Sequence, residues 1–126
     1  MPIADRMLVL LIEDDIAVQR VTTRILESFG YEVASAEDIA GAVDLVNSRG
    51  TETACVLVDY SLRAGTGVDA IKRMRELDEE VPVIMLSGYP QVEIESNAGD
   101  AMWTGFLQKP YTAGDLRAII EQYRRA

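Results

Sequence analysis

The chain has 126 residues and a formal net charge of −9, with one cysteine and no histidine. This length suffices for one domain with its own hydrophobic core, and a single cysteine excludes an intrachain disulfide. The lack of histidine excludes a His-based triad, a histidine metal site and a phosphohistidine donor. The negative charge argues against direct nucleic-acid binding, because phosphate backbones attract basic surfaces.

No apolar segment approaches the ~20 residues that span a bilayer, and residues 1–7 lack the features of a signal peptide. We therefore expect a single cytoplasmic domain over residues 1–126, with its core at about 7–124 and no insertion into a membrane. Cys55, within an apolar run, is expected to be a small core residue.

Apolar runs alternate along the chain with segments of helical period. Short continuous runs predict strands covered on both faces, and apolar residues three to four apart predict amphipathic helices. Gly30 is expected to end the first helix and Thr112 to cap the last. The predicted strands are 7–12, 31–35, 54–58, 82–86 and 105–107, and the predicted helices are 16–29, 38–48, 68–77, 92–98 and 112–124.

Five strands that alternate with five helices predict a mainly parallel sheet with helices on both faces. Connections of this length fit right-handed crossovers. The expected fold class is therefore α/β, a doubly wound sheet.

Polar residues follow the predicted strands at the edge where sites form in open α/β sheets. Glu13-Asp14-Asp15 follows the first strand, Asp59 the third, Ser87 the fourth and Lys109 the fifth. Each alone has an ordinary explanation as a helix cap, a turn residue or a surface charge. Their joint occurrence favours a site, because clustered carboxylates repel one another unless a cation intervenes, and oxygen ligands suit Mg²⁺.

Four motifs carry a family resemblance: LLIEDD at the first strand, VLVDYSL at the third, VIMLSG at the fourth and GFLQKP at the fifth. The occurrence of all four motifs in this order and at these separations is highly specific. From Met7 to about Arg124, the chain resembles the receiver domain of two-component response regulators. The resemblance implies a flavodoxin-like sheet with strand order 2-1-3-4-5. It also implies a signalling switch whose phosphoacceptor is Asp59.

The resemblance places the metal-binding acidic pair directly after the first strand. Gly30 sets the register, because it ends the first helix at the family's usual distance from the second acid, and Asp15 then falls outside the ligands. The implied ion is Mg²⁺ or Mn²⁺, and the implied ligands are Glu13, Asp14, Asp59 and the backbone carbonyl of Ser61.

The remaining site residues take their roles from the same resemblance. Lys109 supplies a positive charge to a phosphoryl oxygen. Ser87 and Phe106 form a switch that alters the face of the fourth helix, the last strand and the fifth helix. Ser61 and Tyr89 border the approach of water and tune phosphoryl lifetime, and we expect the Tyr89 ring to screen that path.

The chain also departs from the family pattern. Arg63 stands where many receivers have proline, so we expect a more flexible loop there, and the predicted fourth helix is short and weakly apolar. An interaction module that is not regulated by phosphate remains an alternative, although the intact site residues argue against it. A hydrolase with an aspartyl intermediate is disfavoured, because such enzymes resemble Asp-x-Asp after the strand and Asp59-Tyr60-Ser61 lacks the second aspartate. Flavin binding is disfavoured because the acids after the first strand would repel the phosphate of the flavin.

The resemblance implies a phosphoacceptor, not an enzyme, that assists its own phosphorylation and dephosphorylation. The implied partners are a histidine kinase or phosphotransfer protein and a downstream protein that binds the face described above. The stretch GFLQKPYTAGDL resembles receivers fused to hybrid sensor histidine kinases. Both a single-domain regulator and a receiver from a larger protein fit the sequence.

Overall fold

The predicted apolar runs form the strands of one parallel sheet in the computed structural model, which describes residues 6–99 and 101–125. Residues 1–5, 100 and 126 of the predicted domain lie outside this description. The sheet strands are β1 (Leu8–Ile12), β2 (Glu32–Ala36), β3 (Thr53–Asp59), β4 (Val83–Ser87) and β5 (Gly105–Gln108), and the helices are α1 (Ile16–Ser28), α2 (Ile39–Arg49), α3 (Gly67–Leu77), α4 (Gln91–Ala98) and α5 (Ala113–Tyr123).

The strand order is β2-β1-β3-β4-β5, and every neighbouring pair is parallel. This order is the one that the family resemblance implies. Since all five strands run the same way, their carboxyl ends lie along one edge of the sheet. Residues that follow β1, β3, β4 and β5 therefore meet at that edge.

The two sheet faces carry separate hydrophobic clusters, because successive strand residues point to opposite sides. On one face, Leu10, Val58 and Met85 pack with buried residues of α2, α3 and α4. On the other face, Leu11 and Leu57 pack with buried residues of α1 and α5. Helices therefore cover both faces, as predicted.

Cys55 belongs to the second cluster and is fully buried. Burial in apolar surroundings raises the pKa of its thiol to about 12, because the thiolate loses its hydration there. The thiol therefore stays protonated, and Cys55 acts as a core residue. Within residues 6–99 and 101–125, none of the helices is both long enough and apolar enough to cross a bilayer.

Most helices begin at a residue whose side chain caps the first turn, or end at a glycine. Asp15 caps α1, and Gly30 follows the end of α1 with a φ of 93°. Thr112 caps α5 in a reciprocal capping box, as predicted. By contrast, α4 begins after Pro90, which provides no side-chain cap.

The segment between β3 and α3 contains a short hairpin where the sequence predicts a loop. Ser61–Leu62 pairs antiparallel with Gly65–Thr66, and the chain reverses at Arg63 and Ala64. Two-residue strands are too short to show an alternating pattern, so periodicity misses them. The hairpin lies directly after Asp59, at the site edge of the sheet.

Candidate functional site

Three carboxylates meet where β1 and β3 end. Glu13, Asp14 and Asp59 each bring one carboxylate oxygen within 4.8 Å of the other two. Glu13 is 4% exposed and Asp59 is 6% exposed, so water screens little of their repulsion. Buried like charges at this separation need a cation or a proton.

The donor set fits a hard divalent cation. Carboxylate oxygens are the ligands that Mg²⁺ prefers, and a few carboxylates plus water usually complete its coordination. The partly exposed Asp14 gives the cluster access to solvent. Glu13, Asp14 and Asp59 can therefore hold such an ion at this edge.

The cluster favours a proton when no cation is bound. Burial and the negative charge of Asp59 raise the pKa of Glu13 to about 7, although the backbone N–H of Asp15 and the charge of Lys109 oppose this shift. The N–H of Asp15 donates to Oε2 of Glu13 at 3.3 Å. A proton on Glu13 thus relieves part of the repulsion within the cluster.

Asp15 has a different role from the two acids before it. Its Oδ1 accepts hydrogen bonds from the backbone N–H groups of Ala17 and Val18 at 3.0 and 3.2 Å. This is the arrangement of an N-cap, in which the carboxylate satisfies the first turn of α1. The side chain is therefore engaged with the helix.

Lys109 brings a positive charge to the cluster from the end of β5. Its Nζ donates to Oδ1 of Asp59 at 3.0 Å. The backbone N–H of Lys109 donates to the carbonyl of Ser87 at 2.7 Å, which ties the chain after β5 to the end of β4. The ammonium group, about one-third exposed, can reach a group that binds beside Asp59.

Gly67 is a structural feature of the site that the sequence reasoning did not identify. A Cβ at this position would lie 2.7 Å from the backbone carbonyl oxygen of Asp59 and 2.9 Å from Sδ of Met85. The Gly67 N–H donates to the carbonyl of Tyr60 at 2.7 Å. The start of α3 therefore packs directly against the backbone that carries Asp59.

Ser87 ends β4 with its side chain fully buried. Its Oγ accepts from the N–H of Tyr89 at 2.8 Å and donates to the carbonyl of Tyr89 at 3.1 Å. The hydroxyl thus holds the loop that leads to α4.

Tyr89 is 51% exposed and packs edge-on against Tyr60, with ring centroids 5.7 Å apart. Since Tyr60 directly follows Asp59, Tyr89 lies beside the segment that carries the proposed acceptor. Ser61 follows in the hairpin and is exposed.

Phe106 is half-buried on the sheet face that α4 covers. It lies opposite Met85 in the β4–β5 pairing. Its ring contacts Trp103 at a centroid distance of 6.0 Å and an interplanar angle of 51°. The sequence analysis did not identify Trp103 as a neighbour of Phe106. The one feature of the sequence that could have indicated this contact is the presence of a large aromatic residue three positions before Phe106.

The family model described as response regulator receiver domain matches residues 9–121. The photosynthetic apparatus regulatory protein RegA of Rhodovulum sulfidophilum is 29% identical over 111 residues, which are 88% of this chain and 60% of RegA. Sensor kinase CckA of Brucella abortus is 28% identical over 114 residues, which are 90% of this chain and 12% of CckA. The chain thus spans only part of the curated relatives that it matches.

A solved structure gives a match over nearly the whole chain. The receiver domain of sensor histidine kinase PA1611 from Pseudomonas aeruginosa, which has a magnesium ion coordinated in its active-site cleft, superposes with a TM-score of 0.85. It is 26% identical, and the match covers 94% of this chain and 97% of that domain. From the match over residues 9–121 and the shared sheet topology, we conclude that this chain belongs to the response regulator receiver domain family.

Proposed function

We propose that Asp59 accepts a phosphoryl group from a histidine kinase or phosphotransfer protein. The observation that carries this proposal is the contact of Lys109 Nζ with Asp59 Oδ1 beside the carboxylates of Glu13 and Asp14. A lone buried aspartate would serve poorly as an acceptor. An aspartate flanked by a cation and by metal-ligating acids is suited to phosphoryl transfer.

The transfer replaces one bond to phosphorus by another. A carboxylate oxygen of Asp59 attacks the phosphorus of a phosphohistidine, the new O–P bond forms and the P–N bond breaks. The imidazole leaves with the electron pair of that bond and takes up a proton. Lys109 orients the acceptor carboxylate and then lies within reach of a phosphoryl oxygen. Water later attacks the phosphorus of the acyl phosphate, the O–P bond to Asp59 breaks, and inorganic phosphate leaves a free Asp59 carboxylate.

The acceptor reaction needs a divalent ion, which we propose is Mg²⁺ or Mn²⁺. Glu13, Asp14 and Asp59 would hold it, together with the backbone carbonyl of Ser61 in the family arrangement. When bound, the ion offsets negative charge on the transferring group. The magnesium ion in the cleft of the related PA1611 receiver supports this assignment.

The signal is proposed to leave the site through Ser87 and Phe106. In the phosphorylated state the Ser87 hydroxyl releases the backbone of Tyr89 and donates to a phosphoryl oxygen, a charge-assisted bond. This movement opens space beside Phe106, whose ring then shifts. The resulting change in the face of α4, β5 and α5 controls binding of a downstream protein partner.

The domain is thus proposed to be a cytoplasmic switch that promotes its own phosphorylation and dephosphorylation. It is not proposed to turn over a separate substrate. Ser61 and Tyr89 adjust how long the phosphoryl group survives, as the sequence resemblance implies.

Phosphorylation at Asp59 can be tested by intact mass after treatment with acetyl phosphate and Mg²⁺, and with a phosphorylated histidine kinase. We expect one added phosphoryl group in the wild type, none in Asp59→Asn, and full addition in Asp38→Asn, whose side chain caps α2 instead. Full labelling of Asp59→Asn would refute the assignment. A wild type that takes no phosphoryl group from either donor, and no beryllofluoride, would favour the phosphate-independent interaction module.

A further inference from the structure

Arg63 carries a positive charge beside the acidic cluster that the proposed chemistry does not use. It stands at the tip of the hairpin after β3, and its Nη2 lies 3.4 Å from the backbone carbonyl oxygen of Asp14, to which it donates. Asp14 in turn supplies one carboxylate to the cluster. The guanidinium therefore contacts the backbone of a residue whose carboxylate would hold a divalent ion.

The hairpin gives Arg63 a defined position. Gly65 has a φ of 114°, and a Cβ there would lie 2.9 Å from Cδ1 of Ile39 in α2. Thr66 caps α3 in a reciprocal capping box with Asp69. The returning hairpin strand is thus packed against two helices, and this anchors the turn from which Arg63 reaches Asp14.

We propose that Arg63 is a tethered cation that competes electrostatically with the divalent ion for the acidic cluster. In the metal-free domain its charge offsets part of the repulsion among Glu13, Asp14 and Asp59. When a divalent ion binds, the same charge repels it and weakens its affinity. This inference rests on the metal site of the proposed function and adds a residue that sets its affinity.

The expected effect is moderate, because Arg63 is exposed. Coulomb interaction between a unit charge and a divalent ion roughly 6–10 Å apart in water corresponds to about a four- to tenfold change in affinity before salt screening. Salt screens exposed charges over about 8–10 Å at physiological ionic strength, so the effect should shrink as salt rises. Lys109, which pairs directly with a buried carboxylate, is screened much less.

The test compares Mg²⁺ affinity by isothermal titration calorimetry in the wild type, Arg63→Gln, Arg63→Lys and Arg24→Gln. Arg24 is exposed in α1, and its loss changes net charge by the same amount. We expect Arg63→Gln to bind Mg²⁺ about four- to tenfold more tightly at low salt, with the difference reduced at high salt. Arg63→Lys and Arg24→Gln should match the wild type.

A second measurement uses the metal-free domain. Arg63→Gln should lower its melting temperature more than Arg24→Gln does, because the acids lose a compensating charge, and saturating Mg²⁺ should close the gap. Equal Mg²⁺ affinities in Arg63→Gln and Arg24→Gln would overturn the inference but leave the metal site intact. Weaker binding in Arg63→Gln would also overturn it, since Arg63 would then support Asp14. Failure of every variant and the wild type to bind Mg²⁺ would overturn the metal site itself.

Discussion

The acidic end of β1 and β3 and the segment around α4 are built differently. Both strands are buried along their whole length, and α3 begins in direct contact with the backbone of Asp59. By contrast, α4 has eight residues, lacks a side-chain cap, and buries only Ile94 and Ala98 among them. Val92 in the same helix is 71% exposed.

This difference separates the place where the chemistry is proposed to occur from the place where the signal is proposed to be read. Phosphoryl transfer needs atoms fixed within tenths of an ångström, which a buried and capped scaffold provides. A readout surface needs two arrangements close in free energy, and a short helix with few buried contacts meets that need. Ser87 joins the two regions, because it ends the buried β4 and its hydroxyl holds the loop before α4.

Among the predicted effects, the largest is the loss of Mg²⁺ affinity when a proposed metal ligand is removed. Asp14→Ala should reduce Mg²⁺ affinity at least tenfold and raise the stability of the metal-free domain, since one of three clustered charges is gone. Asp15→Ala should nearly preserve affinity but lower stability by about 1 kcal/mol, because it removes the cap of α1. Titration calorimetry and thermal melts would measure both. A larger affinity loss in Asp15→Ala would mean that the ligand register is wrong.

Packing behind Asp59 is tested by Gly67→Ala. The added methyl group would meet the Asp59 carbonyl at 2.7 Å, so we expect destabilisation of about 1–3 kcal/mol and slower phosphorylation as Asp59 is displaced. In Gly114→Ala, the matched control in α5, the new Cβ would lie 3.7 Å from Oγ1 of Thr112, an ordinary contact. That variant should gain about 0.4–1 kcal/mol in urea unfolding. Equal stability of the two variants would show that α3 can move away from Asp59 at little cost.

The fold class and the site edge could be predicted because β1, β3 and β4 are continuous apolar runs that end in polar residues. Buried parallel strands require such runs, and the polar residues that follow them must lie at the carboxyl edge. The hairpin after Asp59 could not be predicted, since two-residue pairs carry no period. The start of α4 at Gln91 differs from the predicted start by a single residue.

The sequence indicates which residues lie in the site better than it indicates how they contact one another. Strand ends place Glu13, Asp59 and Lys109 at one edge, but the tight approach of Gly67 to Asp59 depends on the angle at which α3 packs. The direction of the Ser87 hydroxyl depends on its rotamer, which spacing does not determine. The contact of Arg63 with Asp14 likewise depends on a turn that periodicity does not reveal.

Stability of the metal-free domain should depend on pH through Glu13. Its pKa is about 7 in the fold against an ordinary value of 4.5, so between these values the folded state retains a proton that the unfolded chain has lost. Raising the pH through this window should therefore lower stability, by about 1–3 kcal/mol in total. Mg²⁺ binding at the proposed site should release the proton, so the Mg²⁺ affinity should rise with pH up to about 7.

The Glu13 effect is measured as the difference between the wild type and Glu13→Gln in urea unfolding from pH 4.5 to 8 without Mg²⁺. Acids far from Glu13 contribute equally to the two proteins and cancel in that difference. If the two stability curves run parallel across this window, Glu13 does not retain the proton.

Tyr89 should give the smallest effect, because half of its surface is exposed. If its ring screens the path of water to the phosphoryl group, Tyr89→Ala should lose phosphate up to about tenfold faster, a barrier change of about 1.4 kcal/mol. Tyr89→Phe keeps the ring against Tyr60 and should behave as the wild type. Intact mass over time in Mg²⁺ gives both rates, and an alanine variant that decays no faster would assign the lifetime to other residues.

The proposed contrast between a fixed acidic end and an α4 face that changes on phosphorylation is tested most directly by amide chemical shifts with and without beryllofluoride and Mg²⁺. We predict large changes at the site and through Ser87, Phe106, Trp103 and α4, with small changes in the core of β1 and in α5 away from the shared face. Ser87→Ala should retain the changes beside Asp59 and lose those at Phe106 and α4. Unchanged shifts at Phe106 and α4 in a wild type whose Asp59 has bound beryllofluoride would contradict the account.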